Sequence, residues 1–472
     1  MSFFDSDFSS EQNFFNTQKN INEEIIRCKK LIENGSIYDC VEAIEDMIQF
    51  CIDNERSEDG LYFSDRLLEI SPYHSEYWLK KGVILNSLFK YEEALECYNK
   101  SLSLNPCDSE ALVGKAETEE NLGLFSQAKE SIEKALNFEP NNEEALFSMA
   151  LIYQHQENYE MAIEFFRKTL EVDPNFEEAY YELGYCFENI EEYQNAVAVY
   201  DKFLELDPYN VNGWYNRGIV LTKLQQLEKA IDSYDFAIAI NDDFASAWFN
   251  KGNALADLGR LQQSLECFKK AYEIDKTDEA ACYNIANIYE EIGELNRAIK
   301  YYTESIKINE NYYESYLARG YCYDSLGKFH LALKDFNKAI ELSQDNADAW
   351  YAKADLEYSL GQLQDAVNSY TSALKIEKNN YEVWFNLAET YLEMGDWLGA
   401  LDAFNECIRL KPSDAASFYG KAKVNFILSR TQEAVECLKL AFTIDPGMRS
   451  EFAKEYPEIK SSKLFKKLLG EI

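Results

Sequence analysis

The run WYNRGIVLTKLQQLEKAIDSYDFAIAI, residues 214–240, followed by WFNKG at residues 248–252, decides the fold. Trp214 and Trp248, Asn216 and Asn250, and Gly218 and Gly252 each stand 34 positions apart. The interval continues in both directions: a small residue returns at Gly82, Ala116, Ala150, Gly184, Gly218, Gly252, Ala286, Gly320, Ala354, Ala388 and Ala422, without an insertion or deletion. A second small column lies twelve positions later, at Ala94, Ala128, Ala162, Ala196, Ala230, Ser264, Ala298, Ala332, Ala366, Ala400 and Ala434. Small side chains at helical spacing let two backbones approach, so these columns mark helix crossings. Bulky residues stand four before the first column, as at Trp78, Trp214, Trp350 and Trp384, and four after the second, as at Tyr98, Phe166, Tyr234 and Phe404. An offset of four places bulky and small residues on one helical face.

A fixed period changes what the length of 472 residues means. Each unit packs on its neighbours and the core grows lengthwise, giving one array in place of several globules. The formal charge of -38 opposes phosphate backbones and anionic lipid as main partners, so no nucleic acid is expected. The first fifteen residues, MSFFDSDFSSEQNFF, carry acidic groups and lack the basic and apolar regions of a secretory signal. No segment approaches the roughly 20 apolar residues needed to span a bilayer. A cytoplasmic protein without membrane insertion is the expectation. The 11 cysteines include Cys97, Cys186, Cys267, Cys322, Cys407 and Cys437 at helical positions in separate repeats, where core packing is expected.

Along the chain, residues 1–20 have no steady period and read as a flexible N-terminus. Residues 21–74 read as degenerate repeat and N-terminal cap, since counting back 34 from Gly82 and Ala94 reaches Ile48 and Gly60. Residues 75–448 hold eleven regular units of helix, turn, helix, turn. Gly123, Gly259, Gly293, Gly327, Gly361 and Gly395 mark the turn inside a unit, where positive φ is expected. Asn105-Pro106, Asp173-Pro174 and Asp207-Pro208 are among the junctions between units; proline gives way to Asp242, Lys276, Glu310, Gln344 and Lys378 in the middle, which is expected to soften those junctions. After Met448 the period stops, and residues 449–472, with Phe452, Leu464, Phe465 and Leu468 among lysines, read as a C-terminal capping helix.

These columns resemble the tetratricopeptide repeat family, most closely in Trp214-Tyr215-Asn216-Arg217-Gly218 and Trp248-Phe249-Asn250-Lys251-Gly252. The resemblance implies an all-α fold: a right-handed α-solenoid superhelix of eleven regular helix pairs, with degenerate N-terminal helices and a C-terminal cap. It implies that first helices line a concave groove holding an extended peptide or partner protein, and that second helices form the outer wall.

Two positions before the first column, a residue expected to face that groove is Asn216, Asn250, Asn284 and Asn386, interrupted by Ala318 and Ala352. One position after the column stand Asn253 and Asn287, flanked by Tyr185 and Tyr321. An amide carries donors and an acceptor together, so such a row can hold peptide main chain without reading its sequence. It resembles the asparagine ladder of the O-linked N-acetylglucosamine transferase superhelix, although no transferase domain follows. The lysines of the family's carboxylate clamp are missing, since Tyr215, Phe249 and Tyr283 precede the asparagines. The same asparagines also fit a purely structural role between adjacent first helices.

Glu76, Glu110, Glu117, Glu119, Glu120, Glu144, Glu178 and Glu182 accumulate on early first helices, so a partner with a basic segment is expected, although a plain solvated face accounts for the same glutamates. His74, His155 and His330 sit apart, without metal-ligand spacing, and there is neither a phosphate loop nor a nucleophile elbow. No catalytic site, metal or cofactor is expected. The leading expectation is a non-catalytic protein-interaction scaffold. The alternatives are a self-associating structural subunit using its outer wall or stack ends, a homo-oligomer in that case, and a regulatory partner of a separately encoded enzyme.

Overall fold

The computed structural model describes residues 25–30, 32–33, 41–457 and 463. The expectations for residues 1–20 and, residue 463 apart, for residues 458–472 lie outside them. The described residues are helical with short turns and contain no strand. They divide into two compact units, one ending at Asn241 and the other beginning at Asp242, and each is an α-solenoid of stacked helical hairpins. The first unit holds the pairs Val41–Asp53 with Ser57–Ile70, Ser75–Ser87 with Tyr91–Leu104, Ser109–Asn121 with Phe125–Phe138, Glu143–His155 with Tyr159–Val172, Glu177–Asn189 with Tyr193–Leu206, and Val211–Lys223 with Leu227–Ile240. The second holds Ala245–Asp257 with Leu261–Ile274, Glu279–Glu291 with Leu295–Ile308, Tyr313–Ser325 with Phe329–Leu342, Ala347–Ser359 with Leu363–Ile376, Tyr381–Met394 with Trp397–Leu410, and Ala415–Ile427 with Thr431–Ile444, then Met448–Glu455. Within each unit a first helix packs on its own second helix, and that second helix packs on the next first helix.

The ring four positions after the second column is the centre of each hairpin. Tyr98, Phe166, Tyr200, Tyr234, Phe268, Tyr302, Phe336, Tyr370 and Phe404 are fully buried. Each such ring contributes about 2–3 kcal/mol through burial. The ring lies close against the small residue of the first column: a Cβ added at Gly218 would stand 2.5 Å from Tyr234, and one at Gly184 2.6 Å from Tyr200. Large and small columns therefore interlock, and this fixes the distance between the two helices.

The other bulky column behaves differently. Trp78, Trp214, Trp248, Trp350 and Trp384 are only half-buried, and each indole donates to a carbonyl in the junction six residues earlier, at 2.8–3.3 Å. The acceptor is Pro72 or Pro208 in two cases and Asp242, Gln344 or Lys378 in the others. The junctions at Asp242, Gln344 and Lys378 thus keep the same tie without proline, and the expected softening is offset there by the tryptophan; at Lys276 and Glu310 the column holds Cys282 and Tyr316 instead. Asp108, Asn142, Asn210, Asp278, Asn346, Asn380 and Asp414, eight before the first column, cap first helices by accepting from backbone amides.

The turn inside each repeat is left-handed at one position, seven after the first column. Glycine fills it at the six expected places, with φ of 71° to 86°. Phe89, Glu157, Glu191, Gln225 and Ser429 adopt it elsewhere, and Glu55, with φ of 56°, adopts it 34 residues before Phe89. Gln225 N–H donates to Thr222 and Gln226 N–H to Leu221, which closes the helix carbonyls as glycine does. Glu55, together with buried Ile48 and Gly60, gives Val41–Asp53 and Ser57–Ile70 the geometry of a repeat.

At the other end Met448–Glu455 packs on the last pair, with Phe452 buried against Phe442 and Tyr419. Phe452 stands 34 residues after Phe418, so the register runs on for half a repeat beyond the point where the sequence pattern fades. Cys97, Cys186, Cys267, Cys322, Cys407 and Cys437 are buried free thiols, as expected. Burial pushes Cys186 up to about 12, the environment of a packing residue.

Left-handed backbone costs a residue with a Cβ about 1–2 kcal/mol, whereas glycine meets no such penalty. Gln225→Gly should therefore stabilise its repeat by about 1 kcal/mol. Slower amide exchange across Val211–Lys223 and Leu227–Ile240 would register the gain; exchange that is unchanged or faster would contradict it.

Candidate functional site

The expected asparagines all lie on first helices, five of them in the second unit and Asn216 in the first. Hydrogen bonding turns Asn216, Asn284 and Asn386 sideways along the stack. Asn216 Nδ2 donates to Tyr181 Oη at 3.0 Å, and Asn386 Nδ2 to Tyr351 Oη at 3.0 Å and to Asp355 Oδ1 at 3.2 Å. Each spans 35 residues, so the amide links its helix to the preceding first helix. Asn284 Nδ2 lies 3.5 Å from Asn253 Oδ1, and the buried Tyr302 hydroxyl shares its proton between Asn287 Oδ1 and Glu290 Oε2, each at 2.6 Å. Asn250 is half-buried on Ala245–Asp257. Tyr185 and Tyr321 are 41% and 39% exposed.

Spacing placed the asparagines on first helices but missed the second-helix tyrosines whose hydroxyls reach the same helices. Tyr370 Oη bonds Asp355, and Tyr234 Oη lies 3.1 Å from Thr222 Oγ1. Asp355 thereby receives a hydroxyl from its own repeat and an amide from the next. Their signal was present in the sequence: tyrosine in place of phenylalanine within a buried column requires a polar partner.

The basic residues just before the first column do not reach this face freely. Arg217 pairs with Asp201 at 2.6 Å and bonds Ser233, bridging second helices of two repeats. Arg319 holds Asp335 through two bonds, at 2.7 and 2.9 Å, and donates to Thr303 at 3.0 Å. Lys353 lies 3.6 Å from Glu357. The two arginines tie helices together, while Lys353 pairs within its own helix.

Carboxylates then dominate the exposed face. In the second unit, burial pushes Tyr321 up to about 12, and Asp348, Asp355 and Asp324 add their charge in the same direction. Burial and then Asp355 raise Asp324 above its ordinary range. Burial raises Glu389, against the pull of Lys423 and with Glu393 and Glu455 adding to it. Lys423 is itself held by Glu455 of the terminal helix at 2.8 Å, and Tyr419 donates to the same carboxylate at 2.5 Å. The first unit is similar: burial raises Glu110, Glu117, Glu120 and Glu188. Among the described residues no cluster could hold a metal ion, and no helix is long and apolar enough to cross a membrane. The arrangement offers tyrosine rings and hydroxyls set among underneutralised carboxylates, which suits cationic and amide groups.

Comparison with known proteins agrees with the repeat. Family models described as tetratricopeptide repeat match residues 75–106, 109–142, 143–176, 177–210, 199–232, 245–278, 280–312, 313–346, 336–368 and 381–414, and a model described as TPR repeat matches 220–259 and 354–395. No curated protein matches the chain. Among solved structures, MamA is 28% identical over 34% of this chain and 94% of its own, with a TM-score of 0.34. YrrB, described as a TPR protein with an unusual peptide-binding site, is 24% identical over 39% and 95%, with a TM-score of 0.34. The APC/C hetero-tetramer Cut9-Hcn1 is 15% identical over 91% and 95%, with a TM-score of 0.38.

Two outcomes follow from this geometry. Asn386→Ala removes the donor shared by Tyr351 and Asp355 and should destabilise the second unit by about 1–2 kcal/mol in urea unfolding. The raised carboxyls make the folded chain hold more protons than the unfolded chain just above their ordinary range, so stability falls as pH rises through that window. Asp59, Asp414 and Glu455 are shifted the opposite way, since the hydrogen bonds and cations around them together outweigh burial, and their contribution is lost as pH falls. The melting temperature should accordingly rise as pH is lowered from about 7.5 to about 5.5 and drop below about pH 4. A monotonic fall over the whole range would contradict the raised set.

Proposed function

The chain belongs to the tetratricopeptide repeat family, and on that premise we propose that it is a non-catalytic scaffold whose first-helix faces bind an extended, basic segment of a partner protein. The observation that carries this reading is the concentration of carboxylates on that face in the second unit, where Asp324, Asp348, Asp355, Glu382, Glu389 and Glu393 surround Tyr321, Tyr351 and Tyr358. Their mutual repulsion is a cost to the folded chain that a cationic partner relieves, so binding and charge neutralisation are coupled. The rings supply contact area at little entropic cost. The sideways-bonded Asn386 fixes Tyr351 and Asp355 in place and retains its carbonyl oxygen to accept from a peptide amide. Asn253, Asn284 and Asn287 provide further amides along the same unit, while the first unit provides the Asn216 amide and the Tyr185 ring and hydroxyl; all are assigned to partner contact on this reading.

The test is anisotropy of a labelled peptide rich in lysine and arginine against two variants with the same charge change. The first carries Asp324→Asn, Asp348→Asn and Glu382→Gln on first helices; the second carries Glu273→Gln, Glu341→Gln and Glu436→Gln on exposed second-helix surface. The first variant should lose at least about tenfold in affinity and the second less than about twofold. Equal losses would reduce the interaction to attraction by net charge and remove the assignment to this face.

A further inference from the structure

In the second unit, helix Met448–Glu455 ends against the acidic first-helix face. Glu455 accepts from Tyr419 Oη at 2.5 Å and pairs with Lys423 at 2.8 Å, and those two residues stand one turn apart on Ala415–Ile427. Tyr321, Asp355, Glu389 and Lys423 succeed one another at intervals of 34, one on each of four consecutive first helices. The charges of Lys423 and Glu455 both act on Glu389. The chain therefore leaves its last described helix, through Tyr456-Pro457, beside the end of this column of the face.

The sequence that follows has the opposite charge. Residues 460–467, KSSKLFKK, hold four lysines and no carboxylate, with Leu464 and Phe465 among them and Leu468 and Leu469 just after. Lys463, the described member of the stretch, is exposed. Twelve residues separate Glu455 from Lys467, at most about 40 Å of extended chain. Tyr313–Ser325 touches Ala347–Ser359, Tyr381–Met394 touches Ala415–Ile427, and the Asn386–Tyr351 bond joins the middle two. Packed helices stand about 10 Å apart, so the three steps back to Tyr313–Ser325 cover about 30 Å and fall within reach. Along them lie Glu393, Glu389, Asp355 and Asp324, with Tyr358, Tyr351 and Tyr321 between. Ammonium groups suit those carboxylates, and the leucines and phenylalanine suit the rings. We propose that this face takes the lysine stretch of the same chain, residues 460–469, as its resident ligand, which a partner's basic segment must displace. This deepens the scaffold reading and rests on it. Tethering supplies the occupancy: a segment held within reach is present at an effective concentration of about a millimolar, so even a site of modest affinity stays filled.

The experiment has two arms, both on the full chain. In the first, a carbodiimide, which joins lysine to carboxylate only where the two touch, is followed by mass spectrometry of the monomer and dimer bands. Lys460, Lys463, Lys466 or Lys467 should be joined to Asp324, Asp355, Glu389 or Glu393 in the monomer. Joints in the dimer band alone assign the stretch to a second copy and overturn the proposal, as does their absence from both bands. In the second arm, the labelled peptide rich in lysine and arginine is titrated against two variants with the same charge change. One combines Lys460→Gln, Lys463→Gln, Lys466→Gln and Lys467→Gln; the other combines Lys134→Gln, Lys168→Gln, Lys202→Gln and Lys270→Gln on exposed second-helix surface. The first should bind the peptide at least about fivefold more tightly than the unaltered chain, and the second less than about twofold. Equal gains reduce the effect to net charge and remove the resident ligand. Neither arm alters the face itself, so its own carboxylate variants report separately whether the face binds a basic segment at all.

Discussion

A ring pressed against a residue with little or no side chain is the contact on which each hairpin depends. Where Gly184 meets Tyr200 or Gly320 meets Phe336, no Cβ fits without displacing the ring. The interlock sets helix separation within the hairpin, and repeating it at one interval places each later hairpin of the same unit at a comparable offset from the last. Stability is then local and nearly additive along each unit. A change at one ring is felt by its own repeat and the next, while the rest of the stack keeps its geometry.

That local economy leaves the first-helix face free of packing duties, and polar chemistry fills it. Tyrosine at the buried column sends a hydroxyl through to the face, where asparagine or a carboxylate receives it. One such receiver is also tied to the neighbouring first helix: Asp355, which takes the Tyr370 hydroxyl, accepts from Asn386 Nδ2. Core packing and the exposed surface are thus joined by single side chains: a partner that contacts Asp355 touches a group already tied to the core through Tyr370. The cations that could have neutralised the face are turned between helices, as Arg319 is toward Asp335, and this preserves the acidity of the surface.

Much of this was legible from residue spacing. The small columns located the crossings, and counting back from Gly82 and Ala94 reaches Ile48 and Gly60, which flank the left-handed turn at Glu55. The asparagine row was placed on the correct helices, but its direction was not readable, because the partner of an amide depends on whether tyrosine or phenylalanine stands 35 residues earlier and on the rise between repeats. Asn216 and Asn386 have such a tyrosine; Asn284 has Phe249 and turns instead toward Asn253. The capping column from Asp108 to Asp414 could have been read by the same counting. Phe176, Phe244 and Tyr312 take its place in some repeats, and Phe176 and Tyr312 pack against rings of the preceding first helix, so the column is chemically mixed and its regularity is hidden.

The left-handed turn also divides the molecule mechanically. Up to Asn241 the position is held by Glu55, Phe89, Glu157, Glu191 and Gln225, with Gly123 alone relaxed; after it, Gly259, Gly293, Gly327, Gly361 and Gly395 are relaxed and Ser429 alone is not. Backbone tension is therefore banked on the amino-terminal side. Pulled from its two ends, such a chain should yield hairpin by hairpin from that side, with the carboxy-terminal hairpins surrendering later at higher load.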